Sequence, residues 1–599
     1  MFIEHNSQNS LYRTPFGAVP QGSRVTLRLF VQSANLPAAV TLFTSLGEAV
    51  PMRFDFDMCG GRMYVCTLSV SATLFYYFLV NGDGEQVYYG NNAACLGGFG
   101  DVSAGEPLHK FQITAYAPSF RCPAAFSKGI VYQIFPDRFR RGGEAVSVGI
   151  PRAWGETPFF CAEQFGGTYT SGDFFGGTLY GILEKLPYLA DLGITYLYLN
   201  PIFDSSSNHG YNTRDYRHIA AHFGGDAAFR ALAAEAKKVG ISLILDGVFS
   251  HTGSDSPYFQ AALSDENSPY RAWYSFNDSA VGYDCWWGIP SLPNVRETEP
   301  SYLDFMLRNK DSVVRQWLRA GAAGWRLDVA DELPDVFLDT LREVVKEENP
   351  DAVIIGEVWE DASNKESYGA KRRYLTGAQL DSVMNYPLRN SILDFICGRI
   401  DAVDFQRRVM SLAENYPPMV FYSTLNFLSC HDVPRLLTVL GNAPTLPDRA
   451  AQSTYRLPPE NRAIAMQRLP LALLLQLTLP GVPCLYYGDE VGMEGYGDPF
   501  NRGCYPWGQE DDAVFSIYQS LLALRQNEPD FTKESFSFLY AAGRAIAFCR
   551  GNTIVALNAG NAQAELDLPM KKLSLGAMDY TVFAKEESNE NYNAGYNFT

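Results

Sequence analysis

GWRLDVADE, at residues 324–332, has the pattern of a short apolar strand that ends in acidic side chains. Arg326 and Asp328 lie two positions apart, so on a strand their side chains point to the same face. Seven further segments have this character, and stretches with helical periodicity separate them: GIVYQIFPDRF (129–139), ITYLYLNPI (194–202), SLILDGVFSH (242–251), AVIIGEVWE (352–360), DSVMNYP (381–387), STLNFLSCHD (423–432) and PCLYYGDE (483–490). Eight such repeats predict a closed parallel (β/α)8 barrel, the TIM barrel architecture.

Polar residues follow almost every predicted strand: Asp137, Arg138, Asn200, Asp246, His251, Asp328, Glu357, Asn385, His431, Asp432, Asp489 and Glu490. In a barrel of this kind the carboxyl ends of the strands form the active site, so these side chains are the candidates for chemistry. The helix after the third strand is delayed, because residues 253–298 are rich in Ser, Pro, Tyr and Trp. A connection of this length predicts an inserted subdomain that walls one side of the site.

Short β-type runs flank the predicted catalytic barrel, which we place at 123–530. Residues 1–122 alternate β-branched and aromatic runs with turn signals, and NGDG (81–84) separates two aromatic runs in the manner of a hairpin turn. We therefore expect an N-terminal β-sandwich of the carbohydrate-binding type. Residues 531–599 show a second set of short strands and predict a C-terminal β domain, with a loose tail at 585–599.

Composition and charge exclude several classes of function. The 599 residues include 48 Lys and Arg against 66 Asp and Glu, for a formal net charge of −18, so neither nucleic acid nor an anionic membrane is an expected partner. The most apolar run, 464–481, contains Arg468 and Pro470 and predicts a buried helix rather than a membrane span. The first residues have no basic and apolar leader, and none of the 11 cysteines forms a CxxC pair, so we expect a cytoplasmic protein.

Three carboxyl groups at the predicted mouth could carry out acid and nucleophile chemistry. Arg326 is expected to keep the neighbouring Asp328 ionised, as a nucleophile must be. Glu357 is flanked by apolar residues that favour its protonated form, so the two carboxyls would have opposed pKa shifts. Asp432, preceded by His431, supplies a third carboxyl at the same mouth.

Each of these residues also has a structural interpretation. A single Asp at a strand end is often a helix cap or a loop anchor, but three carboxyls at one barrel mouth favour a functional interpretation. Trp359 and Tyr211 could be core residues, although both lie in strand-end loops, where a flat ring can stack on a sugar. His251 could make a loop hydrogen bond or a substrate contact.

Four segments in order resemble the characteristic regions of the α-amylase family of glycoside hydrolases. They are LILDGVFSH (243–251), GWRLDVADE (324–332), GEVWE (356–360) and NFLSCHD (426–432). The leading β domain, together with SNHGYNTRDY (207–216), LPNVRE (292–297) and EGYGDPFNRGCYPW (494–507), is most similar to the neopullulanase, cyclomaltodextrinase and maltogenic amylase subgroup. The resemblance implies Asp328 as nucleophile, Glu357 as acid/base and Asp432 as the third carboxyl.

The resemblance also implies the residues that hold the substrate. Tyr211 would stack on the sugar at the cleaved bond, and Trp359 would line the leaving-group side. The remaining implied sugar contacts are His251, Arg326, His431, Asp498 and Arg502.

The chain departs from the family pattern at several positions. Ser250 stands where the family usually has an Asn that binds calcium, and RRGGEA (140–145) replaces an Asn and Asp cluster that binds another calcium in the subgroup. We therefore expect no metal site and no required cofactor. Asp331 and Glu360 stand where the subgroup has Asn and His, near the leaving-group side.

The sequence therefore predicts a retaining hydrolase of α-1,4-glucosidic bonds, with α-1,6 bonds as a second candidate, in maltooligosaccharides, cyclodextrins or pullulan. The resemblance to the subgroup also implies a homodimer. An open-cleft α-amylase that degrades starch, a transglycosylase and a noncatalytic glycan-binding scaffold are the alternatives. A metal-dependent barrel hydrolase is a weaker one, suggested by His218 and His222 of HIAAH, which would form an i, i+4 pair on a helix.

Overall fold

The computed structural model describes residues 1–34, 38–82, 84–144 and 146–585. Asp83 of the NGDG turn, Ala145 of RRGGEA and the predicted loose tail beyond Lys585 lie outside the described residues. The central feature is an eight-stranded parallel sheet, whose strands in chain order are Val131–Ile134, Tyr196–Leu199, Ser242–Gly247, Ala322–Leu327, Val353–Gly356, Ser382–Val383, Leu425–Phe427 and Val482–Tyr486. Each predicted barrel strand is present, so the predicted barrel is confirmed.

The barrel closes through two different junctions. The eighth strand pairs in parallel with both the first and the seventh strand. The sixth and seventh strands meet only at one parallel bridge, Met384 with Leu425. Inward-facing side chains, Ile244 and Ile355 among them, fill the barrel below the mouth.

Helices surround the barrel, and their apolar faces pack on the strands. The longer ones are Leu179–Glu184, Leu186–Asp191, Gly225–Lys238, Pro257–Ser264, Val313–Arg319, Asp335–Glu348, Tyr386–Ile396, Ala402–Asn415, Arg449–Thr454, Pro459–Thr478 and Asp512–Asn527. Shorter ones are Ala124–Ser127, Pro136–Phe139, Pro300–Leu303, Pro418–Phe421 and Leu436–Leu440. Pro459–Thr478 is the predicted buried helix, and no helix within the described ranges is long and apolar enough to cross a membrane.

The expectation of a helix after every strand is wrong for the fifth strand. Residues 357–381, all of which the structure describes, form loops and one small hairpin, Glu366–Ser367 with Ala370–Lys371. This segment is polar and lacks apolar residues at helical spacing, so a helix here would have no face to bury. We refer to residues 357–381 as the fifth connection.

The predicted insertion after the third strand is present. It begins with the helix Pro257–Ser264 and continues through isolated bridges that include Tyr274 with Val295 and Phe276 with Tyr283. Aromatic contacts around Phe259 hold these pieces together. A further bridge, His251 with Asn294, fixes the insertion to the carboxyl end of the third strand.

The N-terminal strands form an antiparallel sheet around a separate core. In sheet order they are Phe2–Glu4, Ser23–Gln32, Gly61–Val70, Ala49–Met58, Ala39–Thr44, Leu74–Gly82, Glu85–Gly90 and Asp101–Ser103, with Arg13–Thr14 and Phe111–Ile113 at the side and the pair Val19–Pro20 with Ala115–Tyr116 nearby. Ala49–Met58 joins the two halves, which enclose Leu27, Leu42 and Phe78. The predicted hairpin is present, since Gly82 pairs with Glu85.

The C-terminal strands are Ser537–Ala542, Ala545–Arg550, Thr553–Asn558 and Asp579–Ala584 in one sheet, with Ala564–Asp567 and Lys572–Leu575 as a second pair. Ile546 and Phe548 face the barrel core, whereas Ala545 and Ala547 face a small core of their own. This alternation is the period-2 pattern of a strand that is covered on both faces.

The N-terminal sheet contacts the barrel through buried polar groups. Arg13 Nη1 lies 2.8 Å from Glu414 Oε1, and neither side chain is exposed to solvent by more than 2%. Gln112 Nε2 donates to Ser363 Oγ at 3.0 Å, and Asn364 Nδ2 donates to Gln112 Oε1 at 2.9 Å. The fifth connection therefore rests directly on the N-terminal sheet.

Candidate active site

Arg326 is the centre of the carboxyl cluster at the barrel mouth. The strand register places it opposite Asp246, and its Nη1 lies 2.8 Å from Asp246 Oδ1 and 2.9 Å from Asp328 Oδ1. Its Nη2 lies 2.7 Å from Glu357 Oε2. Three consecutive barrel strands thus bring their terminal carboxyls to one buried guanidinium.

Arg326 contacts Asp328, as the spacing predicts, but it is one of several influences on the pKa of that carboxyl. Burial raises the pKa of Asp328 well above its ordinary value, and the charge of Arg326 lowers it by less. The reason is that Arg326 is shared among several carboxyls, and Glu357 and Asp246 raise the pKa of Asp328 further. Arg326 therefore offsets only part of the cost of ionising the buried Asp328.

Glu357 has more polar contacts than the sequence predicts. Its Oε2 accepts a hydrogen bond from Val329 N at 2.9 Å, and its Oε1 accepts one from Trp359 Nε1 at 3.0 Å. The apolar environment predicted from its neighbours is therefore only partly present. Val329 has φ 35° and ψ 69°, a strained left-handed conformation for a β-branched residue, and this conformation accompanies the contact of its N–H with Glu357.

Tyr211 and His431 form the opposite wall of the site. Their rings stack with centroids 5.4 Å apart, and Tyr211 OH donates to Asp246 Oδ2 at 2.8 Å. Gln133 Nε2 donates to His431 Nδ1 at 2.8 Å, which assigns the imidazole proton to Nε2, 3.1 Å from Asp432 Oδ2. Burial lowers the pKa of His431 well below its usual value, so this ring is neutral.

Asp432 joins this wall to the outer part of the mouth. Burial, followed by the nearby Glu357, raises the pKa of Asp432 to about 7. Arg502 Nη2 lies 3.7 Å from Asp432 Oδ1, and Arg502 Nη1 lies 2.9 Å from the half-exposed Asp498. The structure therefore places Arg502 between Asp432 and Asp498, and the contact of Arg502 and Asp498 with sugars stays a prediction.

His251 lies behind Tyr211. Its Nε2 is 3.0 Å from the Tyr211 carbonyl oxygen and its Nδ1 is 3.0 Å from Ser250 Oγ. Burial lowers the pKa of His251 to about 4. In this structure His251 contacts the loop that carries Tyr211, so its role as a sugar contact stays a prediction.

The residues at the two positions where the family resemblance implies calcium sites do not fit a cation here. The Ser250 hydroxyl is held by His251, and it is neutral. Arg141 Nε donates to the Phe175 carbonyl oxygen at 2.7 Å and places a positive charge in the other region. Neither donor set suits calcium, which prefers several carboxylate and carbonyl oxygens.

The helical histidine pair suggested by HIAAH is wrong. His218 lies on the strand Thr213–Ile219 and contacts Asp226, whereas His222 lies in the following turn, buried against Phe174 and Phe223. The segment before His222 is extended because Thr213–Ile219 pairs with the strand Phe203–Ser205, and Tyr216 is buried while His218 is exposed. This removes the sequence basis for the metal-dependent alternative.

Aromatic rings surround the mouth on the side of Glu357. Trp359 is 53% exposed and stacks on Tyr386, with centroids 5.3 Å apart. Trp287, 70% exposed, stacks on Trp286, and its Nε1 donates to Glu332 Oε1 at 3.1 Å. Exposed flat rings of this kind can bind the apolar faces of sugars.

Two groups of site residues were missed from the sequence. Asp246 was noted at a strand end without a role, yet it contacts Arg326 and accepts a hydrogen bond from Tyr198 OH at 2.7 Å. Asp246 lies two positions after the inward-facing Ile244 on the same strand, so the sequence could have placed its side chain on the inner face of the barrel. The Trp286 and Trp287 pair within the insertion could have been found as adjacent aromatics in a loop.

Comparisons with known proteins agree with this geometry. The family model for the alpha amylase catalytic domain matches residues 133–530. The chain is 34% identical to a cyclomaltodextrinase of Thermoanaerobacter pseudethanolicus over 84% of this chain and 82% of that protein. It is 33% identical to an amylopullulanase of Thermoanaerobacterium saccharolyticum over 95% of this chain, but it spans only 49% of that protein's length.

A solved structure extends the comparison to the whole chain. The type III pullulan hydrolase from Thermococcus kodakarensis superposes with a TM-score of 0.69 and 26% identity, and the match covers 97% of this chain and 100% of that one. The flanking β domains are therefore included in the similarity, together with the barrel. From the matched catalytic domain and the extent of these similarities, we conclude that the chain belongs to the alpha-amylase family.

Proposed function

We propose that the protein is a retaining glycoside hydrolase that cleaves α-1,4-glucosidic bonds, with α-1,6 bonds as a second target. The observation that carries this proposal is the contact of Asp328 and Glu357 with the same guanidinium of Arg326. A retaining mechanism needs two carboxyls about 5 Å apart, and a shared guanidinium favours such a short separation. Relatives named cyclomaltodextrinase and pullulan hydrolase support this substrate class.

In the first step, an Asp328 oxygen attacks the anomeric carbon and forms a glycosyl ester. The glycosidic bond breaks, and Glu357 gives its proton to the departing oxygen. In the second step, Glu357 removes a proton from water, and the water oxygen attacks the same carbon and releases Asp328. Each group returns to its starting state, and the α configuration is retained.

The other site residues would hold the sugar during these steps. Asp432 and His431 would bind ring hydroxyls, and Arg326 and Tyr211 would contact the sugar at the cleaved bond. Asp498 and Arg502 would bind sugars further in, and His251 supports the Tyr211 loop. Trp359, beside Glu357, would receive the leaving sugar.

A second candidate activity is transglycosylation, in which a sugar hydroxyl replaces water. The exposed faces of Trp359 and Trp287 on the side of Glu357 favour this possibility, because they could bind an acceptor sugar. An open-cleft α-amylase remains the alternative substrate class. A cytoplasmic location stays a prediction from the sequence.

Asp328→Asn and Glu357→Gln test the mechanism. Each replacement conserves volume and removes half of the acid and nucleophile pair, so we expect a loss of about 4 kcal/mol or more in transition-state stabilisation, without unfolding of the barrel. Activity is measured on maltotriose, cyclodextrin, pullulan and starch, and proton NMR of the first product reports its anomer. Glu343→Gln, at an exposed helix position, is the control.

Activity within about tenfold of the parent in either variant would contradict the assignment. A first product in the β configuration would contradict retention even if both variants were inactive.

A further inference from the structure

Lys365 contacts two acidic residues, Glu360 within the fifth connection and Asp331 after the fourth barrel strand. Its Nζ lies 3.1 Å from Asp331 Oδ2 and also forms an ion pair with Glu360. The Lys365 side chain is 16% exposed, the Asp331 side chain 21% and the Glu360 side chain 63%. These two acids occupy two of the positions where the sequence departs from the related subgroup, and one cation pairs with both.

The ion pair with Asp331 is linked to Glu357 by the two residues that precede Asp331 in the chain. Ala330 N donates to the Glu357 carbonyl oxygen at 3.1 Å, and Val329 N donates to Glu357 Oε2 at 2.9 Å. Val329 is strained, so its conformation depends on contacts that fix the residues around it. Asp331 is fixed by Lys365 and by Tyr374 OH, which donates to Asp331 Oδ1 at 2.6 Å.

The ion pair with Glu360 is linked to the Glu357 carboxyl by the preceding residue, Trp359. Glu360 follows Trp359, whose Nε1 donates to Glu357 Oε1 at 3.0 Å. Val329 and Trp359 therefore donate to the two carboxyl oxygens of Glu357. Val329 lies two positions before Asp331 and Trp359 one position before Glu360, the two acids that pair with Lys365.

The charge balance makes Lys365 necessary at this place. Burial lowers the pKa of Lys365, but the Glu360 and Asp331 carboxylates raise it by more, so the net shift is upward. Without this cation, two carboxylates would face each other close to Glu357, and their repulsion would displace the segments that carry them. The fifth connection has no helix to resist such a displacement.

We propose that Lys365 is a positioning residue that orients Glu357 and Trp359 through its ion pairs with Asp331 and Glu360, and thereby sets the specificity for the sugar on the leaving-group side. This inference rests on the proposed function of Glu357 as acid/base. The N-terminal sheet contributes support, because Gln112 binds Ser363 and Asn364, the two residues before Lys365.

The test compares Lys365→Met with the triple variant Lys365→Met, Asp331→Asn, Glu360→Gln. The substrates are maltotriose, whose leaving sugar needs a proton from Glu357, and p-nitrophenyl α-maltoside, whose phenolate leaves without one. For Lys365→Met we expect kcat/KM on maltotriose to fall about tenfold, equivalent to 1.4 kcal/mol, and kcat/KM on the aryl substrate to change less than about twofold. In the triple variant, which has no unpaired charge, we expect kcat/KM on maltotriose to return to within about threefold of the parent.

Lys310→Met, at an exposed position, is the matched control for loss of a lysine and should leave both substrates unaffected. An equal loss on both substrates, no loss on maltotriose, or no rescue in the triple variant overturns the role of Lys365. If Lys365→Met does not fold, the triple variant decides, and maltotriose activity below a tenth of the parent then overturns the inference. A parent enzyme inactive on both substrates overturns the proposed function instead.

Discussion

Arg326 shares one positive charge among Asp246, Asp328 and Glu357. A buried cation with one partner would hold that partner ionised, but a cation with several partners leaves part of their mutual repulsion uncompensated. A proton bound within the cluster removes this repulsion. The proposed chemistry needs one proton in the cluster, held by Glu357, while Asp328 is ionised.

Asp432 makes the stability of the protein depend on pH. The pKa of Asp432 is raised to about 7 in the folded protein, so the unfolded chain ionises first as the pH rises from about 4. The contribution of Asp432 to the free energy of unfolding is therefore largest at low pH, and it is lost as the pH rises from about 4 to about 7. We expect Asp432→Asn to be more stable than the parent at pH 8, because it removes the cost of ionising this carboxyl in the folded protein. The side chain is 26% exposed and therefore partly solvated, so we expect a gain of only about 2 kcal/mol, and a smaller gain at pH 5.

Urea unfolding of both proteins at pH 5 and pH 8 measures this difference. Asp567→Asn, on an exposed strand position, is the control. A gain that is the same at both pH values would show that charge on Asp432 is not its cause.

Contacts between residues could be predicted where both residues lie on one strand, because residues two positions apart point to the same face. The spacing of Arg326 and Asp328 predicted their contact, which the structure contains at 2.9 Å. The position of Asp246 opposite Arg326 depends on an irregular register between two strands, near Leu243 and Ile244. Register between separate strands is fixed by the packing of the whole barrel, so it could not be obtained from either segment alone.

At the level of elements, an ion pair joins the strand Arg13–Thr14 to the helix Ala402–Asn415. Arg13→Met would leave the buried Glu414 without its cation, and burial already raises the pKa of Glu414. We expect the free energy of unfolding to fall by about 3 kcal/mol. The double variant with Glu414→Gln should recover most of this loss, because it contains no unpaired buried charge.

Denaturant unfolding with an N-terminal and a barrel probe measures both variants. Equal stability of Arg13→Met and the parent, or no recovery in the double variant, would contradict this account of the contact.

The loops after the first and third barrel strands should not need calcium. We expect a chelator to leave the melting temperature and activity nearly unchanged, because Ser250 is bound to His251 and Arg141 occupies the other region. Calorimetry with EDTA, with calcium and with neither measures the effect. A decrease of more than about 5 °C with EDTA would show that other oxygen atoms bind an ion.

Elements were predicted well where one periodicity held without interruption. The barrel strands were found because each is a short apolar run that ends in polar residues, as in Val353–Gly356 before Glu357. The missing helix of the fifth connection was not foreseen, because counting repeats assumed that every strand has one. Its support comes from Gln112 and other residues far away in sequence, which a local pattern cannot reveal.

At the scale of the whole molecule, we expect a homodimer that prefers short or cyclic α-glucans to starch. The resemblance to the subgroup implies that the N-terminal domain of one chain packs over the barrel of another, which would narrow the mouth to a pocket. Deletion of residues 1–122 should then dissociate the dimer and raise the ratio of starch to cyclodextrin activity. Sedimentation equilibrium and activity on both substrates measure these effects.

A monomeric parent that cleaves starch at least as well as maltotriose or cyclodextrin would contradict the pocket argument. The protein would then be an open-cleft α-amylase. The present contacts of Arg13 and Gln112 with the barrel belong to a single chain, so they are compatible with either outcome.

The single bridge between Met384 and Leu425 gives the barrel a seam. Side-chain hydrogen bonds reinforce it, among them Ser382 Oγ to the Ser423 carbonyl oxygen and Asn385 Nδ2 to Thr424 Oγ1. Local opening there breaks few backbone hydrogen bonds, so the sixth and seventh strands can separate briefly while the other barrel strands stay paired. Tyr386, which supports the Trp359 ring, lies directly after this seam. The ring that would meet an incoming cyclic substrate is therefore supported by a residue next to the junction that one backbone bridge closes.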